Sequence, residues 1–241
     1  MTYCVGLLLT RGMVLLSDTR TNAGLDNIST YRKMFTFEDP GERVIVVLTA
    51  GSLSVTQTTM ARLTEAIESP EATPETSIMQ AATMLKVAEI IGDTLAVTRA
   101  EIDDKLAAGQ ASATASMIVA GQRRGGTMRM FLIYPEGNFI EATEDTPFLQ
   151  IGEHKYGKPI LDRVVTPETS LEEAQKAVLL SMDSTLRSNL SVGMPLDLAV
   201  IEADTMRITS RRRIEAGDAG FAAMSQAWSQ ALRDAFSGIS L

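Results

Sequence analysis

Met1-Thr2-Tyr3-Cys4-Val5-Gly6-Leu7-Leu8-Leu9-Thr10-Arg11-Gly12-Met13-Val14-Leu15-Leu16-Ser17-Asp18 opens the chain. Two apolar runs flank Thr10-Arg11-Gly12, the pattern of a β-hairpin that begins at the second residue. Folding it about Arg11-Gly12 returns the end of the second strand to the start of the first, so Asp18 becomes roughly a diagonal cross-strand neighbour of Thr2. A small second residue lets the cell remove Met1. What remains is a threonine with a hydroxyl and a free α-amine, a self-contained nucleophile and base. The α-amine has an ordinary pKa near 8, about 2 units below lysine, so at neutral pH it can accept the hydroxyl proton.

Beyond the hairpin, Thr19 to Asn27 is rich in turn formers and is expected to be an exposed loop. Ser29 to Phe37 alternates loosely and ends at Asp39-Pro40-Gly41-Glu42, a turn. Arg43 to Gly51 is a near-continuous β-branched run, expected as a central strand buried on both faces. Ser52 or Ser54 caps a helix running to about Ser69. A second helix is expected from Thr73 or Thr76 to Leu106, with Gly92 as a kink and Gly109 as a stop. Ser112–Gln122 and Met128–Tyr134 then form a hairpin about Arg123-Arg124-Gly125-Gly126, followed by a strand at Phe139–Ala142. Tyr156–Val165 and Leu171 to about Leu190 are helical. Leu196–Glu202 and Met206–Ile214 pair about Asp204, and Phe221–Phe236 is the last helix. Runs of strands alternating with runs of helices, without regular βαβ units, predict an α+β fold: antiparallel sheets covered by helix layers. Two face-to-face sheets with helical outer layers fit the count, and a single-sheet α+β domain gives the same string.

With 241 residues, 45% of them hydrophobic, the chain can bury a full core as one domain over residues 1–241. Its 22 basic and 30 acidic residues give a formal net charge of −8, which argues against nucleic acid or an anionic membrane as partner. Arg211-Arg212-Arg213 is the one basic cluster and is expected to guard a strand edge. A single cysteine, Cys4, excludes an intramolecular disulfide framework and is expected in the core; a single histidine, His154, excludes a multi-His metal site and is expected at the surface. The apolar N-terminus lacks a basic lead-in and is broken by Arg11-Gly12, and no run approaches a transmembrane length. These features point to a soluble cytoplasmic protein without a cofactor.

Three features accompany Thr2. Asp18 ends the hairpin, Lys33 lies on the next strand, and Ala50-Gly51 sits where a buried strand meets a helix N-terminus, where backbone N–H groups can face a developing oxyanion. A lysine beside the α-amine lowers that amine's pKa, and the aspartate holds the lysine in place. Taken singly, Asp18 could be a turn acid, Lys33 an exposed strand residue and Gly51 a spacer.

Together with Ser17-Asp18-Thr19-Arg20-Thr21-Asn22-Ala23-Gly24, Arg32-Lys33-Met34, Thr49-Ala50-Gly51, the run Gly152 to Asp162 and Ser188-Asn189-Leu190-Ser191-Val192-Gly193, these residues resemble the proteasome-type N-terminal-nucleophile hydrolases, most closely the bacterial Anbu group of ancestral β-subunits. The resemblance covers about residues 2 to 205. It implies a four-layer αββα fold, assembly as a homo-oligomeric ring or ring-like particle, and hydrolysis of a peptide or other amide through an acyl-enzyme. Carried over by position, Thr2 is the nucleophile, Asp18 and Lys33 are its electrostatic partners, the Gly51 N–H is the oxyanion donor and Ser191 is a supporting hydrogen-bonding residue. Arg20, Thr21, Thr49 and Leu53 flank the substrate's first side chain. The chain departs from the proteasome pattern at Ser188, where an aspartate is usual, and at Glu153, where a serine is. Both touch the network around the amine. Maturation is expected to need only Met1 removal, with no propeptide. Alternatives are a small-amide hydrolase of the same fold and a catalytically silent scaffold subunit. No ATPase motif is present, so an unfoldase partner would be a separate protein.

Overall fold

Alternation along the first strand decides the layering. In β1 (Tyr3–Leu9), Tyr3, Val5, Leu7 and Leu9 join one apolar cluster, while Cys4 and Leu8 join another. Successive side chains of a strand point to opposite faces, so β1 is covered on both. β2 (Gly12–Asp18) divides in the same way, with Val14 and Leu16 on one side and Met13 and Leu15 on the other. The computed structural model describes residues 2–22, 28–106 and 113–240.

One sheet has the order β10-β1-β2-β11-β12, adding β10 (Phe148–Gly152), β11 (Leu196–Glu202) and β12 (Ser210–Ile214). The other runs β5-β6-β7-β8-β9, from β5 (Met34–Asp39) through β6 (Arg43–Gly51), β7 (Ala115–Arg123) and β8 (Arg129–Ile133) to β9 (Phe139–Glu141). Every neighbouring pair is antiparallel. Cys4, Met13 and Leu15 of the first sheet meet Val44, Val46, Leu48, Ile118 and Met130 of the second in a shared core. The outer face of the second sheet is covered by α1 (Leu53–Glu68) and α2 (Met84–Leu106), through Val55, Leu63, Val87 and Ile91. The outer face of the first is covered by α3 (Lys158–Val164), α4 (Leu171–Ser188) and α5 (Ala219–Ser237), through Leu161, Ala174, Val178, Met182 and Phe221. The architecture is a four-layer αββα sandwich. Each fully buried Leu, Ile or Val in these three cores contributes about 1.5–3 kcal/mol.

Several boundaries differ from expectation, each for a local reason. The loop expected over Thr19–Asn27 is in part a two-stranded ribbon, β3 (Arg20–Asn22) with β4 (Ile28–Thr30); its tip, 23–27, lies outside the described residues. The second helix starts at Met84, where the Thr83 hydroxyl caps it by accepting the Lys86 N–H at 3.0 Å; just before it, Arg43 donates to the carbonyls of Ile78 (2.6 Å) and Ala81 (2.8 Å). Gly92 marks a close approach, since a Cβ there would collide with the Gly137 carbonyl. The stop at Gly109 and the strand start at Ser112 lie outside the described residues. β10 has no counterpart among the strands expected from sequence; Phe148, Leu149 and Ile151 are buried and the strand pairs along β1. Ser52 holds the N-cap position of α1 without bonding the helix through its side chain, whereas Ser170 and Glu173 complete a full capping box on α4. Arg211, Arg212 and Arg213 lie on β12, an exposed sheet edge.

Candidate active site

The β1–β2 register brings Asp18 beside the first strand's start, where its Oδ1 accepts the Tyr3 N–H at 3.1 Å. The same oxygen accepts the Lys33 ammonium at 2.8 Å, and Oδ2 accepts the Gly193 N–H at 3.3 Å. Lys33 also donates to the Arg20 carbonyl at 2.5 Å. Asp18 is fully buried and Lys33 is 5% exposed. Burial pushes the Asp18 carboxyl above its ordinary range, while the Lys33 charge and the three donors work against that rise. This is a desolvated ion pair held by backbone on both sides.

Thr2 is itself 5% exposed, and its carbonyl accepts the Glu153 N–H at 2.7 Å. That contact exists because Gly152, at φ +81°, turns β10 against the first residue of the hairpin; any Cβ at 152 would overlap the Thr2 carbonyl. Gly51 has φ +109°, and a Cβ there would strike Thr114 and Ala115 of the neighbouring strand. Ser52 then donates to the Thr114 carbonyl at 2.8 Å, which turns the chain from β6 into α1. Thr2, Thr21, Lys33, Thr49, Ala50, Gly51, Leu53 and Thr56 line one narrow cleft of about 30 Å³, room for about two waters.

The structure therefore gathers Thr2, Lys33, Gly51, Thr21, Thr49 and Leu53 around one space, with Asp18 directly behind Lys33. Two of the residues singled out from sequence take other positions. The Arg20 side chain leaves the cleft and donates to the Leu190 carbonyl at 3.0 Å. Ser191 donates its hydroxyl to Asn189 Oδ1 at 2.5 Å, and its N–H bonds the same oxygen, an Asx-type turn. Ser188 is the last residue of α4. Sequence reasoning missed Tyr3 and Gly193. The Tyr3 hydroxyl is held by Gln150 (2.5 Å) and Ser181 (2.6 Å), and burial raises its pKa to about 12. Gly193 contributes a backbone N–H, which no residue type advertises. Cys4 is buried, with its thiol toward the Thr49 carbonyl and its pKa pushed up by burial. His154 is exposed, its ring nitrogen 3.1 Å from the Gly152 carbonyl. Among the described residues no three His, Cys, Asp or Glu side chains stand together as a metal site requires, and no helix is long and apolar enough to cross a membrane.

A hairpin that delivers a buried Asp–Lys pair to a threonine at residue 2, between two antiparallel sheets under helix layers, defines a proteasome-type subunit. The chain belongs to the proteasome subunit family, which matches residues 2–201. Its solved relatives place it in the Anbu branch, the ancestral β-subunits. Anbu from Hyphomicrobium sp. strain MC1 is 49% identical, with a TM-score of 0.91 over 100% of this chain and 99% of that one. Anbu from Yersinia bercovieri is 41% identical, with a TM-score of 0.92 over 100% and 99%. Anbu from Pseudomonas aeruginosa, solved as a helical assembly, is 44% identical, with a TM-score of 0.92 over 100% and 98%. Comparison with curated proteins returns no match.

Proposed function

We propose that the chain is a threonine-type amide hydrolase, a peptidase in which Met1 is removed and Thr2 acts as the nucleophile. The observation that carries this is the buried Asp18–Lys33 pair, 2.8 Å apart, whose lysine shares a cleft with Thr2. A positive charge in that cleft disfavours a second one, so the α-amine of Thr2 stays neutral and can take the hydroxyl proton. The Thr2 Oγ1 then attacks the substrate carbonyl carbon, and the Gly51 N–H stabilises the oxyanion. Collapse breaks the C–N bond; the leaving amine takes the proton from the α-ammonium, and an ester remains on Thr2. Water, deprotonated by the same amine, hydrolyses that ester and restores the hydroxyl. The subunits work as a homo-oligomer in the cytoplasm, as the helical assembly of the Pseudomonas aeruginosa relative suggests, with residues 1–241 acting as one unit.

Intact-mass analysis of the native protein tests the reading, with a peptide vinyl sulfone as probe. The expected result is loss of the Met1 mass and addition of one probe per chain, because Thr2 Oγ1 adds across the probe's double bond and nothing leaves. Thr2→Ala should take up no probe. A native protein that retains Met1 overturns the proposal.

A further inference from the structure

Arg20 follows Asp18 by two residues, touches Lys33 directly and packs against Gly193, which bonds Asp18. Its carbonyl accepts the Lys33 ammonium at 2.5 Å. Its guanidinium crosses to the loop after α4 and donates to the Leu190 carbonyl at 3.0 Å. On the way it lies flat against Gly193, so closely that a Cβ on Gly193 would overlap Nε and Cζ of Arg20. Gly193 in turn donates its N–H to Asp18 Oδ2 at 3.3 Å and accepts the Thr19 N–H at 3.4 Å. The planar guanidinium thus sets where the Gly193 N–H stands, and that N–H sets one oxygen of Asp18. The other oxygen holds Lys33.

We infer that Arg20 is a positioning residue for the hydrolysis, fixing Lys33 through its carbonyl and Asp18 through Gly193, and is not a wall of the substrate cleft. The inference rests on the reading of Thr2 as nucleophile. Loss of the guanidinium leaves the 190–193 loop without its clamp, and Gly193 drifts from Asp18. A misplacement of about 1 Å in such a constellation costs about a hundredfold in rate. The cleft walls, Thr21, Thr49 and Leu53, stay where they are, so binding of the probe stays as it was.

The test measures inactivation by a series of peptide vinyl sulfones that differ in the first side chain, separating the rate of bond formation from the concentration for half-saturation. In Arg20→Ala the expected result is a bond-forming rate about 10- to 100-fold lower, with half-saturation unchanged across the series. Gly193→Ala, whose new methyl displaces the guanidinium, should show the same loss. The double variant should be no worse than the weaker single, because both remove one contact. Arg20→Lys should not rescue, since an ammonium cannot cover Gly193, and it serves as the second variant should Arg20→Ala fail to fold. A wild-type bond-forming rate in these variants overturns the inference, as does a loss confined to half-saturation that varies with the probe's side chain. If the wild-type protein takes no probe on Thr2, the nucleophile reading itself fails, a result distinct from either.

Discussion

Lys33→Met isolates the energetics of the site. It removes a cation bonded to a carboxylate that is fully buried, and leaves Asp18 with the Tyr3 and Gly193 N–H groups among its partners. Breaking a buried pair by deleting one member costs about 3–5 kcal/mol, because the survivor is an uncompensated buried charge. For a chain of this length each kcal/mol is worth about 2–4 °C, so the midpoint of thermal unfolding should fall by about 6–20 °C at fixed protein concentration. The deficit has a sign in pH. Burial already raises the Asp18 carboxyl, and losing Lys33 raises it further. A carboxyl raised in the folded state favours the protonated form, so it is tolerated at low pH and destabilises as pH rises through its folded value. The gap between variant and wild type should therefore narrow as pH falls towards about 4, where an unfolded aspartate also protonates. Adding Asp18→Asn to Lys33→Met should recover most of the lost stability, since neither charge then remains, while labelling of Thr2 stays abolished. Scanning calorimetry from pH 4 to 8, paired with probe labelling, measures all three quantities. An equal midpoint for Lys33→Met and wild type, or a deficit that is flat with pH, would refute the picture of a desolvated ion pair.

Gly152→Ala should lower probe labelling of Thr2 about a hundredfold, because the new methyl overlaps the Thr2 carbonyl and must shift that residue; circular dichroism should show the fold intact, and normal labelling would refute the contact. Stability should fall steeply in alkali: Cys4 and Tyr3 are both raised by burial, so above about pH 9 the unfolded chain releases protons that the folded chain keeps, at about 1.4 kcal/mol per pH unit per group. Urea unfolding at pH 8, 9 and 10 tests it, and Cys4→Ala should remove the first part of the decline. Ser170→Ala should lower stability by about 1 kcal/mol through loss of the α4 cap and leave labelling unchanged, which chemical denaturation checks.

How far the sequence reveals this molecule depends on whether the controlling partner is near in the chain. The β1–β2 hairpin is legible because its apolar runs and its turn are contiguous, and β11 because Leu198-Ala199-Val200-Ile201 is an uninterrupted apolar run rich in β-branched residues. β10 is not, because the polar Gln150 breaks a five-residue strand, and its amide donates to the hydroxyl of Tyr3, 147 residues away. The segment before α2 is held by a guanidinium from β6, again outside any local window. The same division runs through the site. Thr2, Asp18, Lys33 and Gly51 can be picked out because each has chemistry that depends on residue type, and because their order resembles a family. The Gly193 N–H and the Arg20 carbonyl act through backbone atoms that every residue carries. The resemblance puts Arg20 at the cleft, while the partner of its side chain is a carbonyl in a loop some 170 residues on.

That division bears on why the ion pair persists. A buried pair is weak support for a fold, since apolar replacements of both members are often neutral or stabilising. Here Asp18 accepts three donors from three separate parts of the chain: the start of β1, Lys33 and the loop after α4. Lys33 donates to acceptors in two places, the Asp18 carboxylate and the Arg20 carbonyl, among the described residues. A pair kept for stability alone needs its lysine satisfied but not aimed. This one is held in a single orientation, facing a cleft that also contains Thr2. Orientation has no value to folding and large value to a proton transfer, where each donor fixed in advance is reorganisation the reaction no longer has to make. The double neutral variant separates the two roles: full stability without labelling assigns the pair to chemistry, and labelling that survives the loss of both charges assigns it to the fold.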